Sequence, residues 1–289
     1  MQDKTFNYYR QKTEEVLSYI NNHLDEELNI SRLADMFCIS FFHFHRIFKS
    51  VLKEPLGSYI KRMRLDTSLK LLRYSEEPVK DIALKIGYND LSAFSKAFSK
   101  EFGISPAEFR NDKSILLSTN IDYAFKSRER PVVNINPRFI VLPDKEAAGI
   151  NVTGLYGGPE VSKAWDELEK FVISNKLFSW KTELFSIYYD DPDMTPAEEC
   201  KSDICIVTHR KSELPLPIKQ MKITGGRFAV FRFKGPYEKL WDFYNYIYGT
   251  WLLESDVKLR NSPSLEKYIS YSEKMNPEKY VTEIYLPVE

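Results

Sequence analysis

The chain has 289 residues, a length that predicts two domains because a typical domain has about 100–200 residues. Hydrophobic residues make up 43% of it, which excludes extensive disorder. Lysine plus arginine and aspartate plus glutamate both number 41, so net charge alone does not indicate nucleic-acid binding. The sequence has no long apolar run, no signal peptide and no metal-like cysteine spacing. We therefore expect a cytoplasmic protein without membrane contact, metal or cofactor.

The first hundred residues contain one helix-turn-helix pattern twice, from Ile30 to Leu52 and from Val79 to Phe102. Each copy has an apolar face on its first helix and an aromatic i, i+3, i+4 stripe on its second helix. Gly87 stands where a left-handed residue would end the first helix. Ser40 in the first copy and Asn89-Asp90 in the second are placed to cap the second helices. Two such units require a long, two-part target, and DNA is the obvious candidate.

A recognition helix presents the face opposite its buried stripe to the major groove. On the second helices of the two copies, the residues predicted to contact DNA are Phe42, His45, Arg46, Lys49, Leu91, Ser92, Ser95 and Lys96. Arg46 is the best candidate for a guanine or phosphate contact, and Lys96 is its counterpart in the second unit. The alternative is that both are ordinary solvated charges.

Between the two units, residues 56–73 read as one long helix. Eighteen helical residues span about 27 Å, whereas successive major-groove faces lie roughly 34 Å apart. We expect this helix to act as a strut that places both reading helices on one side of the duplex.

The segment from Ile82 to Arg110 resembles the signature of AraC/XylS-type transcription regulators, and the similarity extends over about residues 8–112. The resemblance implies a seven-helix, all-α domain that binds an asymmetric two-part DNA site. Leu91, Ser92 and Ala93 depart from the longer polar side chains common in the family. The second unit is therefore expected to read bases weakly, with Lys96 mainly contacting phosphate.

Helical periodicity fades after this segment, which places a linker at residues 113–136 between domains 1–112 and 137–289. Residues 115–117 and 123–125 are too apolar for a free tether, so part of the linker is expected to pack on a domain. The C-terminal part reads as a duplication in which each half is strand, helix, strand, strand. We predict an α+β domain of two β-α-β-β pseudo-repeats, with antiparallel sheets around a cleft.

Aromatic residues are abundant where this cleft is expected, and the candidates for its lining are Tyr156, Trp165, Tyr188, Tyr237, Trp241, Tyr244, Tyr246 and Tyr268. Glu283 and Tyr285 share one face of the last strand by period-two alternation. Asp203 is the counterpart of Glu283 in the first half. A carboxylate beside aromatic faces suits an organic cation, because each cation–π contact contributes about 0.5–2 kcal/mol. The alternatives are aromatics that only form core and a Glu283 that points to solvent.

The segment from Gly225 to Tyr237 and the closing residues 282–287 resemble the GyrI-like effector-binding domain over roughly residues 137–289. The resemblance implies binding of amphipathic, often cationic, small molecules, with the last-strand glutamate, here Glu283, as the acidic contact. We expect the ligand site to include Tyr156, Tyr188, Tyr237, Trp241, Tyr268, Glu283 and Tyr285.

The whole chain is therefore expected to be a ligand-responsive bacterial transcription regulator rather than an enzyme. Its expected partners are double-stranded promoter DNA, a small-molecule effector and RNA polymerase. Two alternatives concern the C-terminal domain. One is a small-molecule hydrolase with Glu283 as general base beside Tyr285, and the other is a docking module for a protein partner.

Overall fold

The computed structural model describes residues 3–112, 136–190, 195–210, 212–270 and 275–289. The predicted packing of residues 115–117 and 123–125 lies outside these ranges. Residues 3–112 form seven helices, as predicted. They are α1 (Asp3–Asn22), α2 (Ile30–Met36), α3 (Phe41–Leu52), α4 (Leu56–Tyr74), α5 (Val79–Lys85), α6 (Leu91–Phe102) and α7 (Pro106–Asn111).

The caps that begin the second helix of each helix-turn-helix unit are those expected from the sequence. The Ser40 side chain accepts a hydrogen bond from the His43 amide at the start of α3, and Asp90 accepts one from the Ala93 amide at the start of α6. The turn before α6 contains Gly87 at a φ of +83°, and the matching turn before α3 contains Cys38 at +57°. The two units therefore repeat in backbone conformation as well as in sequence.

The predicted long helix, α4, joins the two units and has 19 residues, one more than the sequence predicts. Its first half packs with the first unit through Leu56, Tyr59 and Ile60. Its second half packs with the second unit through Leu65 and Leu69. Since one rigid helix belongs to both cores, it fixes the spacing between α3 and α6.

The C-terminal domain combines eight strands with helices packed on the sheet. Its strands are β1 (Arg138–Leu142), β2 (Lys145–Thr153), β3 (Glu183–Tyr188), β4 (Lys201–Val207), β5 (Lys219–Ile223), β6 (Gly226–Lys234), β7 (Leu265–Ser270) and β8 (Val281–Pro287). Its helices are α8 (Pro159–Ser174), α9 (Leu240–Tyr246) and α10 (Leu252–Glu254), with a π-helical turn at Ile247–Trp251 between the last two.

All eight strands belong to one antiparallel sheet in the order β1-β6-β8-β7-β3-β4-β2-β5. The two predicted pseudo-repeats are present, and the pairing of β3 with β7 joins their sheets. Each repeat also has a strand that the sequence pattern missed, β2 in the first and β5 in the second. The first strand of each repeat pairs with the second strand of the other repeat, so β1 pairs with β6 and β5 pairs with β2.

The first helix-turn-helix unit and the C-terminal domain share one hydrophobic core. This core includes Tyr9 and Phe42 from the helical domain together with Tyr248, Leu252 and Ile284 from the other. The second unit has a separate core built around Phe94 and Phe98. The first unit is therefore docked on the C-terminal domain, whereas the second packs against α4 and α7.

Candidate ligand cavity and DNA-reading helices

A cavity of about 590 Å³ opens between α8, α9 and the sheet at β3 and β7. Its volume lies within the range of small-molecule sites, which is about 300–1,000 Å³. Its lining residues come from five parts of the chain and are Phe42, Arg46, Leu155, Tyr156, Gly157, Val161, Ser162, Trp165, Asp166, Glu169, Leu184, Tyr188, Tyr237, Leu240, Trp241, Tyr244, Glu266 and Tyr268. An aromatic wall of this kind, with a few polar groups, is typical of a site for an amphipathic ligand.

Glu266 on β7 is the buried carboxylate of this cavity, with 5% of its surface exposed. The Tyr244 hydroxyl donates to its Oε1 atom at 2.9 Å, and the Tyr268 hydroxyl lies 3.1 Å from its Oε2 atom. Burial raises the pKa of Glu266, while these hydrogen bonds and the positive charge of Arg46 oppose that rise. A cation in the cavity would favour the ionised carboxylate by the same Coulombic effect.

Among the described lining residues that the sheet contributes, Glu266 is the one acid. Tyr188 pairs with Ser202 in the first repeat as Tyr268 pairs with Thr282 in the second, so the two tyrosines occupy equivalent positions. Their hydroxyls lie 3.1 Å apart where the repeats meet. Counting two residues back along each strand, the position of Glu266 is taken by Ser186 in the first repeat. The cavity is thus asymmetric in charge although it lies between similar repeats.

Five of the seven residues predicted for the ligand site line the cavity, namely Tyr156, Tyr188, Tyr237, Trp241 and Tyr268. Their contact with a ligand remains a prediction. Trp165 and Tyr244, two further aromatic candidates, also line it, whereas Tyr246 does not. Sequence reasoning missed Glu266. The signal was present, because alternation along β7 places Glu266 on the same face as Tyr268.

The expectation that Glu283 and Tyr285 line the cleft is corrected by the structure. Tyr285 packs with Phe185 and Phe228 in a core cluster on the other face of the sheet. Glu283 is 4% exposed, and both of its oxygens lie 2.7 Å from Arg138. The Tyr285 hydroxyl also donates to it at 2.9 Å. Glu283 on β8 is thus a buried carboxylate paired with the exposed side chain of Arg138 on β1. Neither Glu283 nor Tyr285, the two residues that the hydrolase alternative requires, lines the cavity.

The outward face predicted for the first reading helix is covered in this structure. Phe42, His45 and Arg46 are 2%, 0% and 6% exposed. Phe42 and Arg46 are covered by aromatic rings of α9 and the π-helical turn of the C-terminal domain. Lys49 is half-buried, with its ammonium 4.8 Å from the Trp241 ring centroid. The sequence pattern predicted an exposed face here, whereas the structure covers Phe42 and Arg46 with the C-terminal domain.

Arg46 enters the ligand cavity from this docked helix. Its guanidinium carbon lies 4.4 Å from the ring centroid of Phe42, 4.5 Å from that of Trp241 and 4.1 Å from that of Tyr244. A fourth ring, that of Tyr248, is 5.7 Å away. All four distances fall within the roughly 6 Å over which a cation is attracted to an aromatic face. The cation thus lies among cavity aromatics and acts electrostatically on Glu266.

His43 forms the most specific polar contact between α3 and the C-terminal domain. Its Nε2 atom is 2.8 Å from the Ser262 carbonyl, which can only accept, so Nε2 carries the proton. Its Nδ1 atom therefore accepts from the Tyr248 hydroxyl at 2.5 Å. Burial, aided by the nearby charge of Arg46 and opposed by the hydrogen bond to Ser262, lowers the pKa of His43 to about 3. The docked interface consequently requires a neutral imidazole.

The second reading helix presents its predicted face to solvent. Leu91, Ser92 and Lys96 on α6 are exposed and Ser95 is half-buried. Phe94 and Phe98, on the opposite face, are fully buried. The two units therefore differ in this structure, since the face predicted to read DNA is accessible on α6 and covered on α3.

The described residues lack the geometry of a metal site and the composition of a membrane span. They contain no cluster of three or more histidine, cysteine or acidic side chains arranged to hold a metal ion. Within the same ranges no helix combines the length and the apolar character needed to cross a bilayer.

Comparison with known families gives two matches that together cover most of the chain. Residues 135–289 match the GyrI-like small molecule binding domain, and residues 33–112 match a helix-turn-helix domain. The transcriptional regulator Rob of Salmonella typhimurium is 23% identical over 273 residues, which span 88% of this chain and 89% of Rob. The regulatory protein SoxS of Escherichia coli is 33% identical over 98 residues, covering 34% of this chain and 92% of SoxS. A cryo-EM structure of an EcmrR–DNA complex is 16% identical with a TM-score of 0.46, over 81% of each chain.

Proposed function

Because the chain belongs to the GyrI-like small-molecule-binding family and joins this domain to an AraC-type helix-turn-helix domain, we propose that it regulates transcription in response to an organic cation. The observation that carries the ligand class is Glu266, a buried carboxylate held by two tyrosine hydroxyls inside an aromatic cavity. A buried carboxylate is costly unless a positive charge or hydrogen bonds compensate it. Aromatic faces add attraction for the same kind of ligand.

The charges at the cavity also favour a cation over an anion. Its lining residues include three acids, Asp166, Glu169 and Glu266, and one base, Arg46. Asp166 and Glu169 lie one helical turn apart or less on α8, so they form an acidic edge beside the aromatic wall. A flat or bulky aromatic cation would match the shape, the rings and the sign of this lining.

The DNA-binding half of the proposal rests on the two reading helices. The exposed residues of α6 would contact one major-groove segment, and Lys96 would contact phosphate. Residues of α3, with Arg46 as the principal reader, would contact the second segment when this helix is undocked. A regulator bound to a promoter in this way would act on RNA polymerase, which is the protein partner we propose.

The ligand proposal is tested by replacing Glu266 with glutamine, which keeps the size and the hydrogen-bonding oxygen but removes the charge. Tetraphenylphosphonium, a lipophilic cation, serves as the probe, and triphenylphosphine oxide serves as a neutral probe of related shape. Isothermal titration of the full chain measures both. We expect Glu266→Gln to weaken the cation by at least about tenfold, equivalent to roughly 1.4 kcal/mol, and to change the neutral probe by less than about twofold, because only the charge is lost.

Glu283→Gln is the matched comparison, since it neutralises a second buried glutamate on the opposite face of the sheet. Circular dichroism would verify that both variants fold. Loss of cation binding in Glu283→Gln with retention in Glu266→Gln would assign the acidic contact to Glu283 instead. Equal losses of the cation and the neutral probe in Glu266→Gln would contradict an electrostatic role for Glu266.

A further inference from the structure

The ligand cavity is not built by the GyrI-like domain alone. Phe42 and Arg46 belong to α3, the first reading helix, yet they line the cavity together with Trp241 and Tyr244. The guanidinium of Arg46 lies 4.1–4.5 Å from the centroids of three rings there. One wall of the cavity is therefore contributed by the DNA-binding domain.

Arg46 has the same chemistry as the ligand that the cavity suits. It is a planar cation among aromatic faces, and its charge acts on the buried carboxylate of Glu266. A second cation bound against the same rings would be close to Arg46, and like charges repel strongly in a site shielded from water. A bound cation and the docked Arg46 side chain would therefore disfavour each other.

We propose that Arg46 is a tethered cation that occupies the effector site, so that a cationic effector must displace it and thereby detach α3 from the C-terminal domain. This inference rests on the proposed cation site and adds its mode of regulation. Phe42 and Arg46, which are covered by docking, are also among the residues predicted to read DNA. Effector binding and DNA reading by α3 thus favour the same undocked arrangement.

The consequences follow from linkage between the two sites. Apparent affinity for the effector is reduced by the fraction of molecules in which the site is accessible. By reciprocity, effector and DNA strengthen the binding of each other by one common factor. The second unit can remain folded throughout, because Phe94 and Phe98 belong to a core that excludes the C-terminal domain.

The test compares tetraphenylphosphonium binding by the full-length wild type, Arg46→Gln and Arg32→Gln. Arg32 lies exposed on α2, so Arg32→Gln makes the same change of charge in the same domain away from the cavity. If nine-tenths of the wild type is docked, removal of the competing cation should tighten binding by up to about tenfold. Arg32→Gln should match the wild type, and Arg46→Lys, which keeps a cation, should lie between wild type and Arg46→Gln.

A second measurement uses energy transfer and does not depend on the Arg46 variants folding. Cys38 is exposed while Cys200 and Cys205 are buried, so one dye can be attached at Cys38. A Ser174→Cys substitution at the exposed end of α8 provides the other site. Adding tetraphenylphosphonium should lower the transfer efficiency as the domains part.

The outcomes separate this inference from the function on which it rests. Absence of cation binding in the wild type and in Arg46→Gln alike would overturn the cation-sensor function itself. Binding in the wild type with equal or weaker binding in Arg46→Gln would overturn the competition while leaving the sensor intact. Unchanged transfer efficiency at saturating tetraphenylphosphonium would likewise refute displacement of α3.

Discussion

The buried histidine of the docked interface makes docking sensitive to pH. His43 must be neutral to donate from Nε2 to Ser262 and to accept at Nδ1 from Tyr248. Its pKa is lowered to about 3 while docked, mainly by burial, whereas an exposed histidine has a pKa near 6.5. The undocked state therefore takes up a proton that the docked state cannot. Docking is fully stable above about pH 6.5 and is progressively lost as pH falls toward 3.

The magnitude follows from these two pKa values. A pH of 5 is about 1.5 units below the pKa of the undocked histidine. Each unit corresponds to roughly 1.36 kcal/mol. Lowering the pH from 8 to 5 should thus weaken docking by roughly 2 kcal/mol, or about 30-fold in the equilibrium constant. This free energy counts only the one proton that the His43 imidazole takes up.

Energy transfer between dyes at Cys38 and at the Ser174→Cys site would follow docking across this range. The efficiency should fall below pH 6.5 in the wild type. In His43→Asn, whose amide oxygen can replace Nδ1 as an acceptor, the fall should be reduced. This variant separates the imidazole from Glu266, whose raised pKa also weakens the hold on Arg46 as pH falls. Equal responses in both proteins, or no response in the wild type, would refute the role of His43.

Two other substitutions test the docked helix and the accessible one. Tyr248→Phe removes the donor to the buried Nδ1 atom of His43 and should weaken docking by about 1–3 kcal/mol. Energy transfer should therefore fall and tetraphenylphosphonium should bind more tightly. Unchanged values would show that this hydrogen bond does not hold α3. Lys96→Ala on the exposed face of α6 should weaken binding to all duplexes alike and reduce the salt dependence by about one phosphate contact; a loss confined to one sequence in filter-binding titrations would instead make Lys96 a base reader.

Features that depend on neighbouring residues were predictable from the sequence. The caps Ser40 and Asp90 and the turn residue Gly87 were correctly placed, because capping and left-handed turns depend on a few adjacent residues. The long helix α4 was predicted for the same reason. By contrast, β2 and β5 were missed. The run of small residues at 147–149 shows little alternation, and strand formation there depends on pairing with β4 and β5.

The choice between the two faces of the sheet was beyond the sequence pattern. Alternation correctly placed Glu283 with Tyr285 on one face of β8, but it does not tell which face lines the cavity. That face is determined by the positions of α8 and α9, which leave Glu266 inside the cavity and Glu283 opposite. Each face of the sheet carries a buried glutamate, and the resemblance assigned the cavity acid to Glu283 instead of Glu266.

The amino-acid composition of α3 indicates that this helix is buried on more than one side. All residues from Phe42 to Phe48 are buried, and the segment is apolar or aromatic on nearly every side except at Arg46. A helix of this kind is usually buried all round rather than exposed on one face. The identity of the covering surface was not predictable, because α9 lies about two hundred residues further along the chain.

The measurement that tests the central claim most directly is the affinity of the full chain for a duplex selected from a random library, with and without saturating tetraphenylphosphonium. If α3 is shared between the cavity and DNA, the cation should tighten duplex binding. The duplex should tighten cation binding by the same factor, and both effects should shrink in Arg46→Gln. Duplex affinity that is unchanged or weakened by bound cation would contradict the account.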